Sequence, residues 1–477
     1  MIIAALLVLP ALAQDPPPAP SGWNRFRGPN GSGVASDAQL PALLDPERNV
    51  LWRQPLPPGY SSPVLSDQGV LLTSYEELQP KTWCFDRETG EVVWSAEAPP
   101  LAEPPRGPNS PAAPSACSDG ANAYVYFGHC GLLSYDAAGE LRWQHELEPL
   151  NTPYGVGTSP IVHEGLVLLQ GDQDTHSYLL AVDAATGEER WRVPRAGFTH
   201  GFSTPVVHAP QDGPAELIVS GSYRLCGYEL ATGAERWYVG GMAWQAKSTP
   251  VLGDDMLYVH SWMAAPSELG AARVTESWEE ALEGRDADAN GSLEQSEVED
   301  LGLARLWFLY DMNQDDVLDA EEWGFLLARG EAENGLYGIA LGGEGDLSES
   351  AVRWRHKRSL PNIPSPLLHD GVLYLLKEGG ILNALDPESG EVLKAGRVSG
   401  AEDGYYSSPI AAGERILLTS HGGSLAVLSA GAEWDVLSVH DLGEEIWGTA
   451  ALEGDAVYVR SQEALYRFGP AELAEDG

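Results

Sequence analysis

One strand–turn–strand phrase recurs along this chain, and its clearest copy is Leu179-Leu-Ala-Val-Asp-Ala-Ala-Thr-Gly-Glu-Glu-Arg-Trp191. Leu179 to Val182 is apolar enough to be buried on both faces. Asp183 can accept backbone N–H groups within the turn, and Gly187 can take a positive φ. Trp191 gives the partner strand a large ring to bury against a neighbour. Other copies end at Trp94, Trp143, Trp237 (with Glu229 in place of the Asp) and, more loosely, Trp354; Leu385–Leu393 lacks the Trp, and Val427–Trp434 is degenerate. A lone hairpin is marginal in water, so each copy needs others beside it.

A second signal runs in step. Ser61-Ser-Pro-Val64, Ala113-Pro-Ser115, Thr158-Ser-Pro-Ile161, Ser203-Thr-Pro-Val206, Ser248-Thr-Pro-Val251, Pro364-Ser-Pro-Leu367, Ser407-Ser-Pro-Ile410 and Gly448-Thr-Ala-Ala451 make eight. A polar pair followed by Pro suits the start of an innermost strand, where a missing N–H is tolerated. Another apolar strand follows each signal, so a unit is four strands over about 45 residues. That period reads as an all-β, eight-bladed β-propeller. The last unit has three strands, and Val50-Leu-Trp52 is a spare outer strand carrying the Trp of the phrase. It is expected to complete the eighth blade and close the ring, which favours a propeller over an open solenoid.

The net charge of -42 excludes nucleic acid as a partner, since that needs a basic face. Met1 to Ala13 reads as a signal peptide too short to span a membrane, with Ala11-Leu-Ala13 as its cleavage pattern and no following Cys for a lipid anchor. The expected mature protein is exported to the periplasm or beyond, monomeric and without a membrane span. Residues 14–47 form a Pro- and Gly-rich segment whose aromatics, Trp23 and Phe26, are expected to clip onto the ring. Cys84, Cys117, Cys130 and Cys226 read as buried free thiols.

One interval breaks the period. Pro250 to Pro366 is 116 positions against 45 for the preceding interval, an excess of 71 residues. The insert falls between the second and third strands of the fifth blade, dividing the propeller into 48–263 and 336–477 around a segment at 264–335. Within it, Asp286-Ala-Asp-Ala-Asn-Gly-Ser-Leu-Glu-Gln-Ser-Glu297 fits a calcium-binding EF-hand loop position by position. Asp286, Asp288 and Asn290 offer side-chain oxygens, Ser292 its carbonyl and Glu297 a bidentate carboxylate; Gly291 makes the turn. A second loop gives the same roles to Asp311, Asn313, Asp315, Val317 and Glu322, with Asp316 where Gly is expected. Calcium takes six to eight oxygens, so two loops imply about two ions. Leu293 and Leu318 are placed to join the loops in a short β bridge, and calcium is expected to staple the insert.

Ala181, Asp183, Thr186, Gly187 and Trp191 match an Ala-x-Asp-x-x-Thr-Gly-x-x-x-Trp hairpin, and on them the repeat resembles the PQQ-like propeller family from Arg48 to about Gly469. That resemblance implies the fold; the family includes PQQ-dependent alcohol dehydrogenases and a non-enzymatic scaffold of outer-membrane protein assembly. The insert resembles bacterial EF-hand pairs and, less closely, dockerin modules. The dehydrogenases carry a disulfide between adjacent Cys beside their cofactor, and this chain has no Cys-Cys. The scaffolds are lipid-anchored, and the Cys for that is missing.

The segments entering the inner strands should line one rim of the ring. They hold Tyr60, Tyr154, His200, Phe202, Trp244, Lys247, Asn362, Tyr405, Tyr406 and Trp447. Trp244, Tyr406 and Trp447 are candidates for stacking on a flat ligand, and Lys247 for meeting an anionic group. His200 reads as a hydrogen-bonded core residue. No nucleophile–base pair, phosphate loop or zinc spacing is visible. The expected function is therefore a calcium-binding scaffold holding a protein or small molecule at its rim. The alternative is an oxidoreductase dependent on PQQ, and a third reading has the insert dock a partner module.

Overall fold

Eight blade sheets succeed one another along the chain; five are built from four consecutive strands alone, the fourth gains a later fifth strand, the fifth is interrupted by the insert, and the eighth joins both ends of the propeller sequence. The computed structural model describes residues 22–470 apart from 106, 211–212, 266–267 and 269–270. The apolar run at 1–13 lies outside the described residues. Among them, no helix is long and apolar enough to cross a membrane.

Blade three shows the plan. Ile161–His163 is innermost, followed by Leu166–Gly171, Tyr178–Asp183 and the outer strand Glu189–Pro194. The middle strands are buried on both faces, whereas the outer strand alternates exposed and half-buried residues. This is why the middle strands read as continuous apolar runs. Blade eight joins Ala451–Glu453, Ala456–Arg460 and Ala464–Phe468 to Val50–Pro55, with Arg53 opposite Tyr466. The ring thus closes without leaving that sheet edge bare.

The recurrent phrase fastens one blade to the next. In blade three the Asp183 carboxylate accepts the Ala185 and Thr186 amides at 2.9 and 3.0 Å, and Gly187 sits at φ 74°. The Trp143 ring of the preceding blade lies on that glycine, and a Cβ there would be 2.6 Å from it. Trp143 Nε1 also donates to the Ala184 carbonyl at 3.1 Å. Trp52 meets Gly90, Trp94 meets Gly139, Trp191 meets Gly233 and Trp354 meets Gly390 in the same way. Gly187→Ala is expected to cost ~1–3 kcal/mol by overpacking this clip. Urea unfolding checks it, and an unchanged midpoint would remove the clip as a source of stability. Between blades four and five the device changes: Gly345–Asp346 pairs in parallel with Trp237–Tyr238 and adds a fifth strand to blade four.

The amino-terminal segment crosses the inner ends of the blades. Trp23, 2 % exposed, accepts the Leu65 amide at 2.8 Å, and Asn24 accepts that of Ser118 at 2.8 Å. Arg25 donates to the Pro205 carbonyl and Arg27 to that of Pro366. Asn30 exchanges two hydrogen bonds with Val207, and Ala411 pairs with Gly33 and Ala35. Two fully buried guanidinium groups therefore cap inner-strand proline carbonyls. Burial pulls Arg25 down to about 10 and Arg27 to about 9, which leaves both charged at neutral pH. All four cysteines are free and buried.

Blade five opens after Met256–Ser261 and resumes at Gly335–Ala340. Between them lie helix α1 (Trp278–Arg285), started by a Ser277/Glu280 capping box, and helix α2 (Ala320–Glu331), started by an Asp319/Glu322 box. The connection between them is two short 3-10 turns, Glu299–Leu301 and Ala304–Leu309, parted by Gly302 at φ 67°. Leu293 pairs with Leu318 in a two-residue antiparallel bridge. Trp323, Ala281, Leu293, Val298 and Leu318 make a core separate from the blades.

Candidate functional site

The mouth of the central channel holds a cavity of about 540 Å³. Each of the eight blades contributes a residue from the segment entering its inner strand, from Tyr60 of blade one to Trp447 of blade eight. The cavity therefore lies on the ring axis. Phe26, between the two buried arginines, supplies its base. The insert supplies the remaining wall through Leu306, Leu309 and Arg329.

Trp244, Lys247, Tyr406 and Trp447 all line this one cavity. Their roles differ. Trp447 is sandwiched between Tyr60 at 4.1 Å and Tyr406 at 4.3 Å, so both its faces are taken. Tyr406 is 37 % exposed, with His421 set perpendicular to its ring at 5.0 Å. Trp244 is buried, with Nε1 donating to Thr199 Oγ1 at 2.5 Å and its ring beside His200 at 5.2 Å. Of the residues in the entry segments, Tyr405 and His200 do not line the cavity, and His200 is the hydrogen-bonded core residue the sequence suggests. His200 is turned inward against Asp174, with Gln245 at its other ring nitrogen, and Tyr405 is buried with its hydroxyl donating to the Ala401 carbonyl. A side chain following the sharp entry turn can point either way, and the sequence pattern does not distinguish the two.

Lys247 Nζ donates to Asn362 Oδ1 at 2.6 Å and lies 5.7 Å from the Trp262 ring centroid. Burial lowers it to about 8, against a weaker opposing pull from Glu378. Burial, then the charge of Lys247, pushes His260 down to about 3. Arg329 is the second cation on the wall. Among the described residues lining the cavity there is no Asp or Glu. In a chain of net charge -42 this is a cationic, aromatic enclosure.

Arg329, Leu306 and Leu309 were not among the rim residues expected from sequence. For Arg329 the one signal is a cation on the buried face of α2, shared with Glu322, Trp323 and Leu326.

The two acidic loops lie in the insert. In the first, oxygens of Asp286, Asp288 and Glu297 come within 4.8 Å of one another. Asn290 and Gly291 donate their amides to Asp286 at 3.1 and 2.9 Å, Ser292 donates to Asn290 Oδ1 at 2.8 Å, and Gly291 takes φ 87°. Glu297 accepts the Ala287 and Glu294 amides at 2.6 and 3.0 Å. The second loop repeats the pattern. Asp315 and Asp316 donate to Asp311 at 3.0 and 3.1 Å, Asp315 also to Asn313 at 3.0 Å, and Val317 to Asp315 at 3.1 Å. Glu322 accepts Met312 and Asp319 at 2.7 and 3.0 Å. Asp316 takes φ 70° where the first loop has its glycine. The first loop is largely exposed, whereas Asp311 and Glu322 are buried at 4 % and 3 %. The donor set, hard oxygens at alternate positions on a turn held by amides, is of the kind calcium takes; among the described residues only the first loop brings three carboxylates within 4.8 Å of one another.

The fold is shared with solved structures at low identity. BamB from Moraxella catarrhalis matches at 12% identity and TM-score 0.51, covering 87% of this chain and 96% of that one. A europium-containing methanol dehydrogenase matches at 9% and 0.58, covering 93% and 90%. The quinohemoprotein alcohol dehydrogenase from Comamonas testosteroni matches at 13% and 0.58, covering 96% and 82%. At such identity these likenesses show the fold alone, and no curated protein matches the chain. The PQQ_2 repeat family, described as outer membrane protein assembly factor BamB, matches at 34–175, 110–239 and 175–300. These matches span residues 34–300, more than half of the 477, so the chain belongs to this PQQ-like, BamB-type propeller family.

Proposed function

We propose that this chain is an exported, calcium-binding propeller that works as a binding module. Its axial cavity holds a flat anionic ligand, or an anionic group presented by a protein partner. Calcium at 286–297 and 311–322 holds the insert that forms the cavity's outer wall. One observation carries the reading: the cavity gathers Lys247, Arg329 and the part-exposed Tyr406, with no carboxylate among its described lining residues, in a strongly acidic chain. Membership of a family described as an outer membrane protein assembly factor supports export and a protein partner.

The alternative is an oxidoreductase using PQQ, and the rings and cations would suit a flat quinone. The donor set does not suit the calcium-bound form of that cofactor. No carboxylate reaches the cavity from the described residues, and Cys84, Cys117, Cys130 and Cys226 are separate free thiols inside the blades. Hard divalent cations need such oxygens.

Calorimetric titration with calcium is expected to show two sites, one lost in Glu297→Gln, the other in Glu322→Gln and both in the double variant. Titration of the calcium-loaded protein with naphthalenedicarboxylate should give binding that weakens as the pH rises through about 8, because the Lys247 ammonium loses its proton there. For stability the sign is the same as for any buried base: the cost of burying the ammonium is full below about pH 8 and fades above it. Quinone absorbance with alcohol oxidation after PQQ and calcium reconstitution would overturn the binding-module reading.

A further inference from the structure

The second acidic loop and the cavity share a residue chain, and it ends on Arg329. This side chain is 5 % exposed and lines the cavity. Its Nη1 donates to Tyr310 Oη at 2.6 Å, and its guanidinium lies 5.5 Å from the ring centroids of both Trp244 and Tyr310. Its Nε has no hydrogen-bond partner, and no carboxylate among the described residues pairs with it. A buried guanidinium with donors to spare and no counter-ion is suited to an incoming carboxylate, which it can grip with two parallel hydrogen bonds.

Both ends of the loop are tied to that guanidinium. Tyr310, which holds it, immediately precedes Asp311, the first loop ligand. Glu322, the last loop ligand, lies in the first turn of α2, seven residues before Arg329. Seven residues are two helical turns, so Glu322 and Arg329 share one buried face roughly 10 Å apart along the axis. The loop also leans on the ring, where Asn151 donates to the Met312 carbonyl at 3.2 Å and Gln314 to Asn151 at 3.3 Å. Leu309 packs with Trp244 and Met263. A cation held by the loop would be shared between Asp311 and Glu322, and so would tie the position of Tyr310 to that of α2.

We propose that Arg329 is the residue that selects an anionic ligand at the axial cavity, and that calcium in the second loop sets its position. Ligand and calcium therefore bind cooperatively. The inference rests on the binding-module reading above. Linkage makes the coupling reciprocal: whatever factor calcium adds to ligand affinity, the ligand adds to calcium affinity.

The test uses the whole protein, with naphthalenedicarboxylate and its uncharged dicarboxamide as probes, titrated calorimetrically with calcium and with chelator. Calcium should tighten the dicarboxylate by roughly five-fold or more, and the dicarboxylate should tighten one calcium site by the same factor. Glu322→Gln should abolish that dependence. Arg329→Gln should keep two calcium sites but lose about ten-fold of the preference for dicarboxylate over dicarboxamide, and Arg329→Lys should restore part of it. Dicarboxylate binding that is equally tight with and without calcium overturns the coupling and leaves the cavity reading intact. An unchanged preference in Arg329→Gln overturns the selecting role. Failure of the calcium-loaded wild type to bind either probe overturns the cavity reading itself, and this inference with it.

Discussion

A chain shortened to begin at residue 56 loses its cooperative fold altogether. The removed segment carries two devices. One is the outer strand Val50–Pro55, without which Ala464–Phe468 becomes a bare sheet edge. Trp52 goes with it, and so does the hydrogen bond from its Nε1 to the Arg87 carbonyl at 3.0 Å over Gly90. The other is the buried amino-terminal segment, which crosses the inner ends of the blades from Trp23 and then runs along blades seven and eight, where Leu40 and Leu44 join their core. Trp23, Leu40, Leu43 and Leu44 are all 2 % exposed or less, and each is worth ~1.5–3 kcal/mol of burial. Removing Arg25 and Arg27 further leaves the Pro205 and Pro366 carbonyls unpaired inside the channel. These losses together rival the whole ~5–15 kcal/mol stability of a typical protein. Circular dichroism and size exclusion should show an aggregating or non-cooperative species. A monomer that unfolds at the parent's denaturant midpoint would show the closing strand and the buried amino-terminal segment to be dispensable.

Trp323→Ala has the opposite reach, large but local. Trp323 is fully buried in the insert, donates through Nε1 to the Glu276 carbonyl at 2.8 Å and packs 6.1 Å from Trp278. Truncating such a ring costs ~3–5 kcal/mol. The insert core is small and separate from the blades, so that loss is expected to unfold the insert while the ring stays folded. Calorimetric melting should then show the ring transition within a few degrees of the parent, and calcium should no longer raise any transition. A calcium-dependent rise of parental size in the variant would contradict the placement of Trp323 as the keystone of the loops.

How much of this was legible in the chain differs from element to element. The blade count and the closing strand were, because a strand–turn–strand phrase is local: Asp183 bonds amides two and three residues away, and Gly187 adopts its φ within the same turn. The turn geometry at 286–297 and 311–322 was legible for the same reason, since each proposed ligand set spans twelve residues. What the Trp of the phrase does was only half legible. Its size announced burial, but its partner, the glycine of the next blade's turn, is 36 to 45 residues away.

The cavity was less legible still. Trp244, Lys247, Tyr406 and Trp447 could be placed on one rim because they precede inner strands. That Trp447 is already stacked on both faces, and that His200 turns away to Asp174, depends on packing between blades far apart in sequence. Phe26 and Arg329 reach the same cavity from segments outside the repeat altogether.

By itself, then, the sequence determined the periodic part of this protein, the blade plan and the point of closure, and where that period is interrupted. Periodicity and turn chemistry are short-range, and they act alike in every copy. Only the tertiary structure decided the axial cavity, because ring closure brings eight separate entry segments, a buried amino-terminal segment and the second helix of the insert to one point. The charge of that point runs against the chain's own composition. Its lysine and arginine are held there by burial and by neutral partners, Asn362 and Tyr310, while the chain's abundant carboxylates keep to the solvated surface and the loops.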